Sequence, residues 1–396
     1  MTSRRDLRLL VGAVGLSAMG DFVALIALVL LVHDLTGSGL AVSALFAAHM
    51  VPVVAFSPLA GLLADRVESV RLLALASVGQ AVVAVGLAFT ESLVPLLGLS
   101  VLLGLGATLS QPAEFALVPA VAGAKRLNEA NGLVETARYA GFTAGPLLAG
   151  VLVAAGGSRA ALLVNAVSFL AIAAAASLMR ARRPPVAAAE GEPDRARDGF
   201  GFLWGDDVLR VMVGAGVVAL LFISASLTAE VFYLKDVVGA GDAGYAVTVA
   251  AWTIGMVAGA TALSRRVAPR GRAGAALAAL AIQGAGVALG ASWAILPVAI
   301  LGYLIGGLAH GVKNVLMRTV IQERTPERLH GRAFAAYNGL RNTAELGALG
   351  AGGLLVTAIG AQEALIVAGL GPVLAGLAGL ALLRRREQLR PLPVGA

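Results

Sequence analysis

The chain has 396 residues, of which 58% are hydrophobic and 13% charged, and its formal net charge is +7. Soluble domains carry about 25% charged residues. A water-soluble core of this length cannot hide so much apolar surface, whereas a bilayer can. There is no cysteine, which excludes disulfides, thiolate metal ligands and iron–sulfur ligands. His33, His49, His310 and His330 lie far apart and no pair has zinc-ligand spacing, so neither a metal site nor a cofactor is expected.

The first residues, MTSRRDLRLLVGAVGLSAMG, place basic residues before an apolar run, as a signal peptide does. That run continues through Asp21 to Leu31, long enough to cross a bilayer, and it reads as an uncleaved first helix. Apolar runs between polar breaks predict twelve spans: 9–32, 40–63, 72–90, 93–118, 130–155, 160–180, 208–233, 243–264, 273–292, 294–317, 333–358 and 362–383. The breaks at 91–93 and 292–294 are tight enough to leave a count of ten open.

Lys and Arg set the direction of such spans. With the N-terminus inside, 25 of the 30 basic residues fall on the inner side and two, Arg159 and Lys235, on the outer side. The remaining three, Arg138, Lys313 and Arg341, lie within spans. This asymmetry predicts a multi-pass protein of the inner cell membrane with both termini cytoplasmic. It also accounts for the basic balance without nucleic acid.

The stretch RARRPPVAAAEGEPDRARDGFGFLWGDD is the longest polar segment. It divides the chain into residues 1–183, a linker over 184–207, and residues 208–396, with six spans on each side. A shift of about 200 residues brings the halves into weak register: Asp34 and Gly37 onto Asp236 and Gly239, Gly145 and Gly150 onto Gly347 and Gly352, and Arg66–Val67 onto Arg266–Val267. The predicted fold is an all-α membrane protein with twelve transmembrane helices in two pseudo-symmetric six-helix bundles. Two parallel repeats place a substrate site between them near the midplane.

In chain order, the first residue that invites a function is Asp21, about half-way along span 1 with no basic partner on its own helix. A carboxylate at that depth is expensive and functional by default, and it is the candidate carrier of a coupling proton. A plain hydrogen bond to a neighbouring helix is the alternative. After span 2 comes GLLADRVESVR, with Gly61, Asp65, Arg66 and Arg71. Span 4 carries Glu114. Span 5 carries Glu135 and Arg138, spaced to pair at i, i+3, as a structural pair beneath the membrane surface or as part of a gate. It then places Gly141, Gly145 and Ala149 on one face, followed by Gly150, with Pro146 removing a backbone donor. Small residues at i, i+4 let another backbone come close, and Gly255 and Gly259 in span 8 offer a similar groove. Glu230, near the outer end of span 7, reads as interfacial. Lys313 in span 10 either pairs with Glu114 across the halves or snorkels to the interface. Arg341 and Glu345 in span 11 are spaced to pair at i, i+4. Phe22, Phe46, Phe115, Phe222 and Phe232 fit core packing or a bulky amphipathic substrate.

The span 2–3 loop resembles that of the major facilitator superfamily: Gly61, Asp65 and Arg66 match. Glu68 stands where the family has a second Gly, and Arg71 comes one place late. The glutamate resembles the branch of enterobactin and multidrug exporters. The resemblance implies that this loop biases the inward–outward equilibrium. Gly141, Gly145, Pro146 and Gly150 are similar to the family's antiporter motif, with Ala149 in place of a Gly, and this implies export.

The three lysines are followed by Arg126, Asp236 and Asn314, so no phosphate-binding Gly–Lys–Ser/Thr loop exists and energy must come from a gradient. The sequence therefore predicts a monomeric secondary transporter in a lipid bilayer, not an enzyme, that exports small amphipathic molecules such as drugs or siderophore-like compounds by alternating access. Protons, or sodium, drive it, with Asp21, Arg341 and Glu345 in coupling and Glu114, Lys313, Glu135 and Arg138 in the gate. An importer or facilitator of a small nutrient on the same fold is the alternative.

Overall fold

The structure is a computed structural model and describes residues 4–122, 127–181, 196–326 and 330–389. The described residues form helices and connections, with no strand among them. In chain order the helices are α1 (Arg4–Thr36), α2 (Gly39–Arg66), α3 (Ser69–Ala88), α4 (Leu93–Ala122), α5 (Leu127–Leu178), α6 (Ala196–Gly205), α7 (Asp207–Phe232), α8 (Gly241–Ala258), α9 (Arg272–Ser292), α10 (Leu296–Arg324), α11 (His330–Ile359) and α12 (Ala361–Leu389). α7 and α8 each run on into a π-helical turn, Tyr233–Val237 and Gly259–Leu263.

α5 is two spans. At Gly156 and Gly157 the backbone leaves helical geometry, with φ +67° at Gly157. A side chain there would strain the backbone, so the chain turns at this point into a first limb, 127–155, and a second, 158–178. Among the described residues ten segments are long and apolar enough to cross a membrane, and one of them, Thr136–Leu178, contains both limbs. With α11, which carries Arg341 and Glu345 and is less apolar, the spans number twelve. The breaks that had left ten open are real: α3 ends at Ala88 before α4 begins at Leu93, and α9 ends at Ser292 before α10 begins at Leu296.

Most helices outrun their apolar windows. α10 has 29 residues, about 43 Å at 1.5 Å per residue, against a hydrocarbon core of roughly 30 Å. Backbone hydrogen bonding continues past the apolar side chains until a cap stops it. Ser38 caps α2 by accepting from Ala41 N–H, and Asp206 caps α7 by accepting from Val208 and Leu209 N–H, both at 2.9 Å. Glu68 caps α3 by accepting from the N–H groups of Val70 and Arg71, at 3.2 Å each.

The internal repeat is written in the backbone. Gly37 and Gly239 both have positive φ, 202 residues apart, and so do Gly157 and Gly360, 203 apart. Val67 and Val267 are both extended residues that end a helix. Ala149, Ala344 and Ala348 are buried, whereas no described residue lies against a would-be Cβ on Gly347.

The chain divides into two units, Met1–Glu190 with Gly241–Ala250, and Gly191–Ala240 with Ala251–Ala396. The first half of α8 thus groups with the first unit, where Ala246 abuts the bare backbone of Gly150. In the first unit α1 packs on α5, α2 on α4, and α3 on α4 and α5. In the second unit α7 packs on α11 and α12, and α9 on α10 and α12. Without a hydrophobic force between helices in lipid, close backbone approach supplies the attraction. A Cβ on Gly145 would lie 2.6 Å from Phe22 Cβ and 2.9 Å from Met19 O. Gly255 and Gly259 press on the α10 backbone at Leu304 and Leu308, so α10 fills the groove read from span 8.

Candidate functional site

α1 places Asp21 at its centre, 17 residues after Arg4 and 15 before Thr36. Gly15, Met19 and Phe22 face α5, and Gly20 faces Asn165 and Ser168 on the second limb. Asp21 is left between these contacts, exposed on the protein, with Ser17 Oγ 3.5 Å from its Oδ2. Its electrostatic neighbours are Glu114 and Arg138.

Arg138 Nη2 lies 3.5 Å from Glu114 Oε2, joining the first limb of α5 to α4. Glu114 is buried. The sequence had paired Arg138 with Glu135 one turn away, but the Glu135 side chain lies outside the described residues. Spacing along one helix exposes an i, i+3 candidate and says nothing of a neighbouring helix, which is why Glu114 was missed as the partner. The three groups of this unit comprise two carboxylates and one guanidinium.

The second unit gathers a different set. Lys313 on α10 is buried, with Nζ 3.5 Å from His310 Nδ1. The His310 ring packs on Trp252 of α8 at 5.5 Å, and Trp252 packs edge-on to Tyr303 at 6.0 Å. On α11, Arg341 Nε lies 4.0 Å from Glu345 Oε2, the i, i+4 spacing expected from sequence. Arg341 and Glu345 are electrostatic neighbours of Lys313. Burial sets Lys313 among neighbouring side chains of its own unit. His310 gave no sequence signal beyond its i, i+3 spacing from Lys313.

In the span 2–3 loop, α2 runs to Arg66 and the side chains of Gly61, Asp65 and Arg66 lie outside the described residues. Arg71 is exposed and its N–H is taken by Glu68. The residue that departs from the family pattern is therefore a helix cap, placing negative charge at the positive end of α3.

One expectation changes. Glu230 is 8% exposed and not interfacial, because α7 is covered by both α11 and α12. Phe22 is packing: its Cβ faces Gly145 and its ring lies 4.9 Å from Phe142. Phe46 and Phe232 are buried as well, and the Phe115 side chain lies outside the described residues. The sequence also missed Asp6. Fully buried, it accepts from the N–H groups of Arg180 and Ala181 at 2.9 and 2.7 Å, tying the start of α1 to the chain after α5.

Twelve spans in two related halves, with ionisable groups held in mid-span, are the architecture of a multi-pass membrane transporter. A profile of the Major Facilitator Superfamily matches residues 10–346, and the chain belongs to that family. It is similar to the multidrug efflux pump Tap of Mycolicibacterium fortuitum, 26% identical over 407 residues, covering 98% of each chain. It is also similar to the lysophospholipid transporter LplT of Yersinia pestis strain Pestoides F, 28% identical over 354 residues, 86% of this chain and 84% of that protein. Among solved structures, a bacterial homologue of the human lysosomal transporter Spinster superposes with a TM-score of 0.77 at 14% identity, covering both chains fully. That likeness is one of fold.

Proposed function

We propose that the protein is a proton-coupled exporter of small amphipathic compounds, working by alternating access in the inner cell membrane with both termini cytoplasmic. The observation that carries this reading is Asp21, a mid-span carboxylate that shares the field of one guanidinium, Arg138, with a second carboxylate, Glu114. Two acids and one base leave a surplus negative charge, and in low dielectric such a charge is costly. One proton neutralises it, and binding or releasing that proton changes the energy of whatever conformation holds it. Arg341 and Glu345 are assigned to coupling in the second half, and Glu114 and Arg138 to the cytoplasmic gate with Glu135 and Lys313.

The direction rests on span 5. Gly141 and Gly145 let α1 approach closely, and with Pro146 and Gly150 they resemble the family's antiporter motif. The similarity to Tap, a multidrug efflux pump, points the same way. The Arg- and Lys-rich ends of the spans support cytoplasmic termini. The Asp65–Arg66 loop, with Arg71, is assigned to the switch between states.

The test is everted membrane vesicles containing the protein, energised with an inward-acid pH gradient and screened with fluorescent dyes, drugs and siderophores. Uptake of at least one compound that collapses on adding a protonophore is expected. Uptake only in right-side-out vesicles, or uptake that follows a sodium gradient and ignores pH, overturns the export or the proton assignment respectively.

A further inference from the structure

The buried cation of the second unit has a use that coupling and gating leave open. Lys313 is 9% exposed, and among the described residues no carboxylate lies within ion-pairing distance of it. Among the described residues its one hydrogen-bonding neighbour, His310 Nδ1, lies at the 3.5 Å limit. A neutral imidazole accepts a hydrogen bond but supplies no negative charge. The acid in its neighbourhood is Glu345, and Glu345 is already faced by Arg341. Lys313 and Arg341 against Glu345 leave one surplus positive charge. Lys313 lies 11 residues before Arg324 at the end of α10, within the apolar span read over 294–317.

An isolated ammonium so placed costs several kcal/mol unless something pairs with it or it gives up its proton. An ammonium kept for packing alone is better replaced by Met or Leu. The surroundings suit an amphipathic guest: Trp252 packs on His310 and Tyr303 packs edge-on to Trp252, giving an aromatic wall on one side of the charge. Arg341 is 45% exposed at its side chain, and its loose 4.0 Å contact leaves guanidinium N–H groups free to fork onto an oxyanion.

We propose that Lys313 and Arg341 form the subsite for an acid group, carboxylate or phosphate, carried by the amphipathic solute, with Trp252 and His310 flanking its apolar part. This rests on the transport reading above and narrows the substrates to amphipathic anions.

The experiment measures binding, needs no gradient, and is blind to direction. Full-length protein in an uncharged detergent is titrated with 11-(dansylamino)undecanoic acid and with its methyl ester, following energy transfer from tryptophan to dansyl. The acid is expected to bind roughly tenfold more tightly than the ester, the size of one charge-assisted contact. Lys313→Gln brings the two affinities together, Lys313→Arg keeps them apart, and Arg341→Gln narrows the gap. Displacement of the dansyl acid by lysophosphatidic acid assigns the site to phosphate as well as carboxylate, and displacement by decanoate alone restricts it to carboxylate. Equal affinities for acid and ester in the unmodified protein overturn the proposal, whatever the variants do. So does a preference that Lys313→Gln leaves intact. Acid-selective binding alongside silent everted vesicles leaves this subsite standing and removes the export reading alone.

Discussion

Glu114 of α4 and Arg138 of α5 face each other at 3.5 Å, so the charge on the antiporter-like span is held by a neighbouring helix. Breaking a buried pair from one side leaves an uncompensated charge and costs about 3–5 kcal/mol, while removing both partners costs much less. Arg138→Gln is expected to lower the detergent melting temperature sharply. The double variant Glu114→Gln/Arg138→Gln recovers most of the loss. If Glu135 were the true partner, Glu135→Gln would give the rescue instead, and fluorescence-detected size exclusion after heating distinguishes the two.

Asp21→Asn keeps the size and the Ser17 contact but carries no exchangeable proton. Gradient-driven uptake in everted vesicles is expected to vanish, while solute exchange between the two sides at equal pH continues. Membrane expression level checks that the variant folds. Gradient-driven uptake at the unmodified rate removes Asp21 from the coupling step.

The small-residue stripe predicts a contrast between two glycines that look alike in sequence. A Cβ at Gly145 meets Phe22 at 2.6 Å and Met19 O at 2.9 Å, so Gly145→Val forces α1 and α5 apart and is expected to cost about 1–3 kcal/mol. At Gly347 no described residue lies within 4 Å. Gly347→Ala is expected to be neutral or mildly stabilising, since Ala favours a helix by up to about 1 kcal/mol over Gly. Melting temperatures of the two variants in one detergent decide the matter.

Asp206 ties the start of α7 to the end of α10. Burial disfavours its charge, but Arg324 Nε at 3.0 Å from both oxygens, with the N–H groups of Leu209 and Val208, outweighs that and holds the carboxyl below its usual range. A depressed carboxylate adds stability above its unfolded value, near pH 4, and that stability is lost as the pH falls through the lower folded value. The melting temperature is therefore expected to drop as the buffer goes below about pH 4. Asp206→Asn makes that drop shallower and lowers the melting temperature at pH 7. Identical pH profiles for the two proteins contradict this.

Runs of apolar residues were enough to yield twelve spans, because a bilayer tolerates few other arrangements of so apolar a chain. The Gly37–Gly239 match was visible for the same local reason: a chain reversal with positive φ selects glycine at that position. Gly347 and Gly352 look equivalent in sequence, and only the structure shows that Gly352 touches α7 at Ala225 and Thr228. Lone charges were legible as unusual, and their partners were not. Asp6 with Arg180 and Ala181, Glu114 with Arg138, and Lys313 beside His310 and Trp252 depend on which faces of separate helices meet. Sequence fixes depth along each rod, because rise per residue is constant. Rotation about the rod and the choice of neighbour come from backbone-to-backbone packing at small residues, and those exist only once the helices are assembled.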